Sequence, residues 1–428
     1  MILSIRVNNY LVYSNEVELS LKADMRIKKF NSNVFTENNF NILKTICIYG
    51  PNNSGKTCII RAIRSIKNVL LGISAEVPAN IFTNNKTCCF GITFFYNGKV
   101  FDYDFKYDSS SINNSRRGFI YESLKEVLVD QYNNISKKEI FTRDFEKGIY
   151  NFADNKDLSQ VLEIVSNDNI LIYSINTSKY PIIEEYKNMF RQFAEKIDII
   201  DMNNIPIDKT IQVLKNNEKI KEKTIELIKL ADLDIDDYKY YNSKTPDELS
   251  SNGSAGSPNE FVLKYIISPD DMYRLTSIHR GKAVQSISFD STGTKKIVAA
   301  ASYIIDALYN GKTLVVDELD SSIHFKLTRA IVSLFNNELN KNAQLIFTAH
   351  DVTLLDCKKL FRKDQIWFAS KNKNEEFLYS LNDFNSQEDK VRSECNLIEK
   401  YNSGILGSLP DPDLISLLIN SNNGDNYE

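Results

Sequence analysis

The stretch Gly50-Pro51-Asn52-Asn53-Ser54-Gly55-Lys56-Thr57 sets two glycines, a lysine and a hydroxyl at the spacing of a turn that wraps phosphate. Gly50 and Gly55 permit dihedrals closed to residues with a Cβ, and Asn52 and Asn53 tolerate left-handed backbone better than most. The N–H groups of such a loop, Ser54 included, converge on phosphate oxygens at a helix mouth. Lys56 supplies a point charge for β- and γ-phosphates, and Thr57 a hydroxyl for Mg²⁺. The competing reading is an ordinary Gly/Asn-rich turn between strand and helix.

Two more sets of residues suit the same chemistry. Thr313-Leu314-Val315-Val316 is a β-branched run that ends in Asp317-Glu318, so a buried strand delivers two carboxylates to its C-terminal edge. Asp317 suits a hydrated Mg²⁺, and Glu318 the orientation or deprotonation of an attacking water. Gln344 to Thr348 is a second buried run, ending in Ala349-His350-Asp351. A histidine there can donate a hydrogen bond to a γ-phosphate and sense its presence. His279 and His324 have no such context and read as structural. Ser291 and Gly293 stand at the mouth of an apolar helix that runs through Leu308 and stops at Asn310-Gly311. That mouth is either simple N-capping or a second anion-binding end facing a γ-phosphate held by another subunit.

These residues need scaffolding on both sides. Thr45 to Tyr49 reads as the buried strand entering the phosphate turn, and Lys56 to Leu71, apolar at Ile59, Ile60, Ile63, Ile66 and Leu70, as the helix leaving it. Ile2–Val7 and Val17–Leu21 read as strands, and residues 23–41 as a loop. Cys89–Tyr96 and Val100–Phe105 flank Asn97-Gly98, a strong hairpin signal and hence an antiparallel lobe. Residues 109–259 read as mostly helical, with Ile182, Ile183, Tyr186, Met189, Phe190, Phe193, Ile197 and Ile200 on one buried face. Asn169–Ser174 reads as a strand within that region, and Ser250–Pro258 as a linker. Phe261–Ile267, Tyr273–Ser277, Gln365–Phe368 and Phe377–Ser380 read as further strands, and Leu319-Asp320-Ser321-Ser322 as the opening of a helix through Phe335. The expected units are residues 1–108, an ATPase lobe; 109–259, a helical insertion; 260–385, a second ATPase lobe; and 386–428, a tail.

Composition excludes several alternatives. A chain of 428 residues, 42% hydrophobic and 25% charged, with net charge −4, is ordinary globular protein and gives no global pull toward nucleic acid or an anionic membrane. The apolar run from Met1 to Ile5, already broken by Ser4, is too short for a signal peptide, and no stretch approaches a membrane span. A cytoplasmic protein without membrane partners is expected. The six cysteines form no C-x-x-C pair and the three histidines are scattered, which argues for buried thiols rather than zinc.

In the order of these motifs the chain resembles the ATP-binding-cassette ATPases of the SMC and OLD type, and more narrowly the AbiL-type, RloA-like ATPases of bacterial abortive infection. The resemblance rests on Val7–Tyr10 with Val17–Leu21, Gly50–Thr57, Ser291–Lys296, Val315–His324, Ala343–Asp351 and Arg362–Phe368. It implies an α/β fold: an ABC-type P-loop core, with a mixed sheet and an antiparallel β lobe, carrying the helical insertion. It implies ATP and Mg²⁺ as cofactors, Ser291, Gly293 and Thr294 as the signature element, Asp320 as the D-loop acid and His350 as the switch histidine. Relatives close as head-to-tail homodimers, or higher oligomers, around two ATP molecules. Leu11 and Val12 stand where many SMC-type proteins carry a basic residue, and Asn176 is a weak match to a Gln-loop.

The resemblance further implies a partner: a separately encoded effector such as a nuclease, with nucleic acid or a phage component as a trigger. An SMC-like DNA clamp of repair or chromosome maintenance is the alternative, and it predicts DNA binding that weakens steeply with salt. The absence of sustained heptads speaks against it. A self-contained OLD-like nuclease would need a metal-binding domain after His350, and Asp411-Pro412-Asp413 reads there as a turn.

Overall fold

The computed structural model describes residues 1–73, 77–110, 118–130, 134–153, 155–176, 178–216, 218–231, 233–240, 274–372, 375–384, 396–407 and 409. Two sheets share one core. A six-stranded sheet runs in the order Ile197–Asp201, Thr313–Asp317, Gln344–Thr348, Thr45–Tyr49, Ile366–Lys371, Glu376–Ser380, and all its pairings are parallel except the last. Every residue of Thr45–Tyr49, Thr313–Asp317 and Gln344–Thr348 is buried. That is why these strands read as continuous apolar runs. The phosphate turn, Asp317 and His350 therefore leave the sheet at the same edge.

The second sheet is antiparallel and seven-stranded, and contains the expected hairpin as Thr87–Tyr96 paired to Lys99–Asp108. Between the sheets lie the helices Lys56–Leu70 and Pro181–Glu195. Ile46 and Ile48 face this layer with Ile59, Ile63, Phe94 and Phe190, whereas Cys47 and Tyr49 face a second layer with Val316, Phe347 and Phe335. This two-residue alternation welds the phosphate-turn strand into both halves of the core. The fold is the expected α/β one, a mixed sheet joined to an antiparallel lobe.

Four local expectations are corrected. Residues 118–152, read as helical, form the strands Gly118–Val129, Ile135–Asp144 and Ile149–Phe152 of the antiparallel sheet. Their alternation is masked because Glu122 and Arg143 are buried together at 0% exposure in the face where apolar residues would mark a strand. A register shift between Leu124 and Lys125 breaks the period again. Asn169–Ser174, read as a strand, contains instead the one-turn helix Leu171–Ser174, whose first N–H donates to the Glu122 carboxylate at 3.1 Å. Ile197 and Ile200 leave the helix, which ends at Glu195, and lie in the edge strand Ile197–Asp201. Residues 23–41, read as a loop, contribute Val34–Glu37, which pairs with Phe40–Leu43. The proposed linker Ser250–Pro258, the strand Phe261–Ile267 and the Asp411–Asp413 turn lie outside the described residues.

The antiparallel sheet carries an ion cluster on its outer face. Arg6 Nη2 lies 2.6 Å from Asp102 Oδ1 and 2.7 Å from Asp104 Oδ1, and Lys137 Nζ lies 2.6 Å from Asp102 Oδ2. Burial alone would raise the Asp102 carboxyl, but Arg6, Lys137 and Thr93 hold it at about 2. The folded value lies below the unfolded value of ~3.9, so the unfolded chain binds the proton more readily. Stability from this group is therefore complete above pH ~4 and is lost as pH falls through the folded value. Asp102→Asn should remove that component from the acid limb of unfolding followed by circular dichroism.

Candidate functional site

The phosphate turn is built as its residue types require. Gly50 has φ +154° and Gly55 φ +99°, and Asn53 is left-handed at φ +61°. A Cβ on Gly50 would stand 2.2 Å from the Ala369 carbonyl oxygen, and one on Gly55 2.6 Å from Tyr13 Oη. The first clash is with backbone of a paired strand, which cannot move aside. Gly50→Ala should therefore abolish binding of a fluorescent ATP analogue and lower the melting temperature as well.

Lys56 is 6% exposed and curls back, donating from Nζ to the carbonyls of Gly50 at 2.6 Å and Pro51 at 2.9 Å. Burial lowers its proton affinity, partly offset by Asp317, Glu318 and Asp320. Those three carboxylates thus share its electrostatic environment, although each lies more than two hundred residues along the chain. Ser54 Oγ is buried and has no hydrogen-bond partner, a rare condition for a polar atom in a folded protein. An anion seated in the turn would give it one. Asn52 and Thr57 are exposed at the same turn.

The opposite wall comes from the two buried strands. Thr348 Oγ1 donates to Asp317 Oδ1 at 2.6 Å and accepts from the Glu318 N–H at 2.7 Å, so one hydroxyl fixes both acids. Glu318 turns out of the strand at φ +54°, and Ser322 is left-handed at +63°. These two breaks explain a further correction: the helix read as opening at Leu319 begins at Phe325, behind the His324 cap. Asp320 Oδ2 accepts from the backbone N–H groups of His350 at 2.7 Å and Asp351 at 2.5 Å. His350 Nε2 stands 3.8 Å from Glu318 Oε1. Lysine, two strand-end carboxylates, a third acid and a histidine accordingly meet at one sheet edge.

Ser291 caps the helix Thr292–Asn310 by accepting from the Thr294 N–H at 3.1 Å, and the two hydroxyls lie 2.8 Å apart. This mouth packs on the turn after Glu318: a Cβ on Gly293 would stand 2.9 Å from the Ser322 carbonyl oxygen. Ser291 and Thr292 are exposed, with Gly293 and Thr294 half-buried beside them.

Sequence reasoning missed Asn203. It follows the unforeseen edge strand, and its Nδ2 donates to Glu318 Oε2 at 2.6 Å. Asn176, the weak match to a Gln-loop, is exposed and accepts from the Ser178 N–H instead. Only recognition of Ile197–Asp201 as a strand would have pointed to the residues just beyond it.

A family model described as "AAA domain, putative AbiEii toxin, Type IV TA system" matches residues 46–356. No curated protein matches the sequence. Among solved structures, the SMC head domain from Thermotoga maritima is 11% identical, with 89% of this chain and 98% of that chain covered and a TM-score of 0.41. The Smc head domain with an extended coiled coil bound to the C-terminal domain of ScpA, derived from Pyrococcus furiosus, is 12% identical, with 89% and 96% covered and a TM-score of 0.39. Among the described residues no helix is long and apolar enough to cross a membrane.

Proposed function

The chain belongs to the AAA-domain family whose model spans residues 46–356, and from that premise we propose that it is an ATP-hydrolysing dimer switch of an abortive-infection type of antiphage defence. The observation that carries the hydrolytic reading is the meeting of Lys56, Asp317, Glu318 and His350 at one sheet edge beside the turn Gly50–Thr57. Backbone N–H groups of Asn52, Asn53, Ser54 and Gly55 cradle the triphosphate, and the orphaned Ser54 hydroxyl gains a partner there. Thr57 and Asp317 offer the hard oxygen donors that Mg²⁺ takes, and the ion would neutralise charge on the phosphate oxygens. Glu318 takes the proton of the attacking water, and His350 faces the γ-phosphate beside it.

A second copy completes the site in this reading. Ser291, Gly293 and Thr294 form an anion-ready helix mouth packed on the Asp320–Ser322 turn of their own chain, and in a head-to-tail homodimer that mouth closes on the partner copy's ATP. ATP then holds the pair together and hydrolysis releases it. The toxin and antitoxin named in the family description support a separately encoded effector, such as a nuclease, held or released by that cycle in the cytoplasm. A phage component or nucleic acid serves as the trigger.

Purified protein with ATP and Mg²⁺ should release phosphate, and with a slowly hydrolysed ATP analogue should double in mass by light scattering. It should cut neither DNA nor RNA alone. A protein that neither binds ATP nor changes mass would overturn the reading, and robust nuclease activity without partners would remove the separate effector.

A further inference from the structure

We propose that Asn203 is a positioning residue, which ties the pose of the Glu318 carboxylate to the mouth of the helix Thr292–Asn310 through Lys296. The inference rests on the reading of Glu318 as the group that takes the water's proton. Asn203 has different partners at its two ends. Nδ2 donates to Glu318 Oε2 at 2.6 Å, while Oδ1 accepts from Ser321 Oγ at 2.7 Å and from Lys296 Nζ at 3.1 Å. The amide orientation follows from chemistry: an ammonium only donates and an ionised carboxylate only accepts, so oxygen faces lysine and nitrogen faces glutamate.

The backbone of Asn203 is pinned while its side chain spans a gap. Met202 N–H donates to the Asp317 carbonyl at 3.0 Å, and the Asn203 and Asn204 N–H groups are both taken by Asp201, at 2.8 and 2.9 Å. The loop therefore moves with the strand that carries Glu318. Lys296 belongs to a different element. It stands in the second turn of the helix capped by Ser291, and its ammonium also reaches Ser322 Oγ at 3.1 Å and Ser321 Oγ at 3.4 Å. A displacement of that helix mouth pulls on Oδ1 and turns the amide that holds Glu318. The second oxygen of the carboxylate lies 3.8 Å from His350 Nε2. In the dimer proposed above, the helix mouth meets the partner copy's ATP whereas Glu318 serves the nucleotide of its own chain. Lys296 and Asn203 then report the arrival of one nucleotide to the carboxylate acting on the other.

The test is steady-state ATP turnover by the full chain, with analogue-driven association measured alongside. Asn203→Ala should lower kcat by roughly ten- to a hundred-fold, the scale of a misplaced reacting group, with KM and association unchanged. Lys296→Met should lower kcat in the same sense, and the double variant should be no slower than Asn203→Ala, because the lysine acts through the amide. A fall in kcat at unchanged KM is a split that a merely structural residue would not give. Turnover by Asn203→Ala within two-fold of the unaltered chain, or losses that multiply in the double variant, would each overturn the proposal. If the unaltered chain shows no turnover that depends on Lys56, the ATPase reading itself falls. If it turns over normally and the Asn203 variants leave kcat unchanged, this inference falls alone.

Discussion

Lys56→Ala is expected to abolish both ATP turnover and ATP-driven association, while Glu318→Gln keeps ATP binding and traps the associated form. Lys56 is the only cation within the phosphate turn, and its buried ammonium donates to the Gly50 and Pro51 carbonyls at 2.6 and 2.9 Å. Its ammonium is thus already largely withdrawn from water within the turn, and phosphate oxygens would replace the two carbonyls as its acceptors. Removing it leaves the phosphate charge facing Asp317, Glu318 and Asp320 uncompensated. Glutamine at 318 preserves shape but cannot take a proton, and loss of a general base costs roughly 10²–10⁴ in rate. Phosphate release and light scattering read the two effects separately. Equal association in both variants would remove the dimer switch.

Arg143→Met is expected to destabilise the fold by about 3–5 kcal/mol, the usual cost of stranding one partner of a buried ion pair. Arg143 and Glu122 are both fully buried and bonded to each other. Glu122 further accepts from Tyr103 Oη at 2.8 Å and from the Leu171 N–H at 3.1 Å. Arg143 donates to the carbonyls of Ser166 and Asn169, both at 3.1 Å. The pair consequently staples the sheet to the segment that follows it, and methionine would leave a carboxylate without its cation in a closed core. A urea midpoint lowered in Arg143→Met and partly restored in Arg143→Met with Glu122→Gln would match this account. Equal midpoints in all three proteins would refute it.

The same ion pair marks the limit of what the chain could disclose by pattern. Thr45–Tyr49, Thr313–Asp317 and Gln344–Thr348 were legible because each is buried on both faces and so is apolar without interruption. The phosphate turn was legible because its dihedrals admit few residue types, and Gly50 and Gly55 have the positive φ that their identity implied. Residues 118–152 were not, because charge sits where apolar side chains would mark the inner face. Ile197–Asp201 was hidden differently: Phe193, Ile197 and Ile200 continue the helical spacing of the preceding segment, although the helix stops at Glu195. Asn203 lay beyond that misread strand, and its bond to Glu318 joins residues separated by 115 positions. No local pattern encodes such a contact.

The placement of Thr45–Tyr49 between Gln344–Thr348 and Ile366–Lys371 has a temporal consequence. As the ribosome extends the polypeptide, the nucleotide turn emerges long before either flanking strand is translated. A nascent or prematurely terminated product therefore holds that turn without the walls that shape it, and loop closure over so long a separation is slow. Maturation of the phosphate pocket thus waits for both later strands to be made, so copies that lack them carry the turn in an unshaped form.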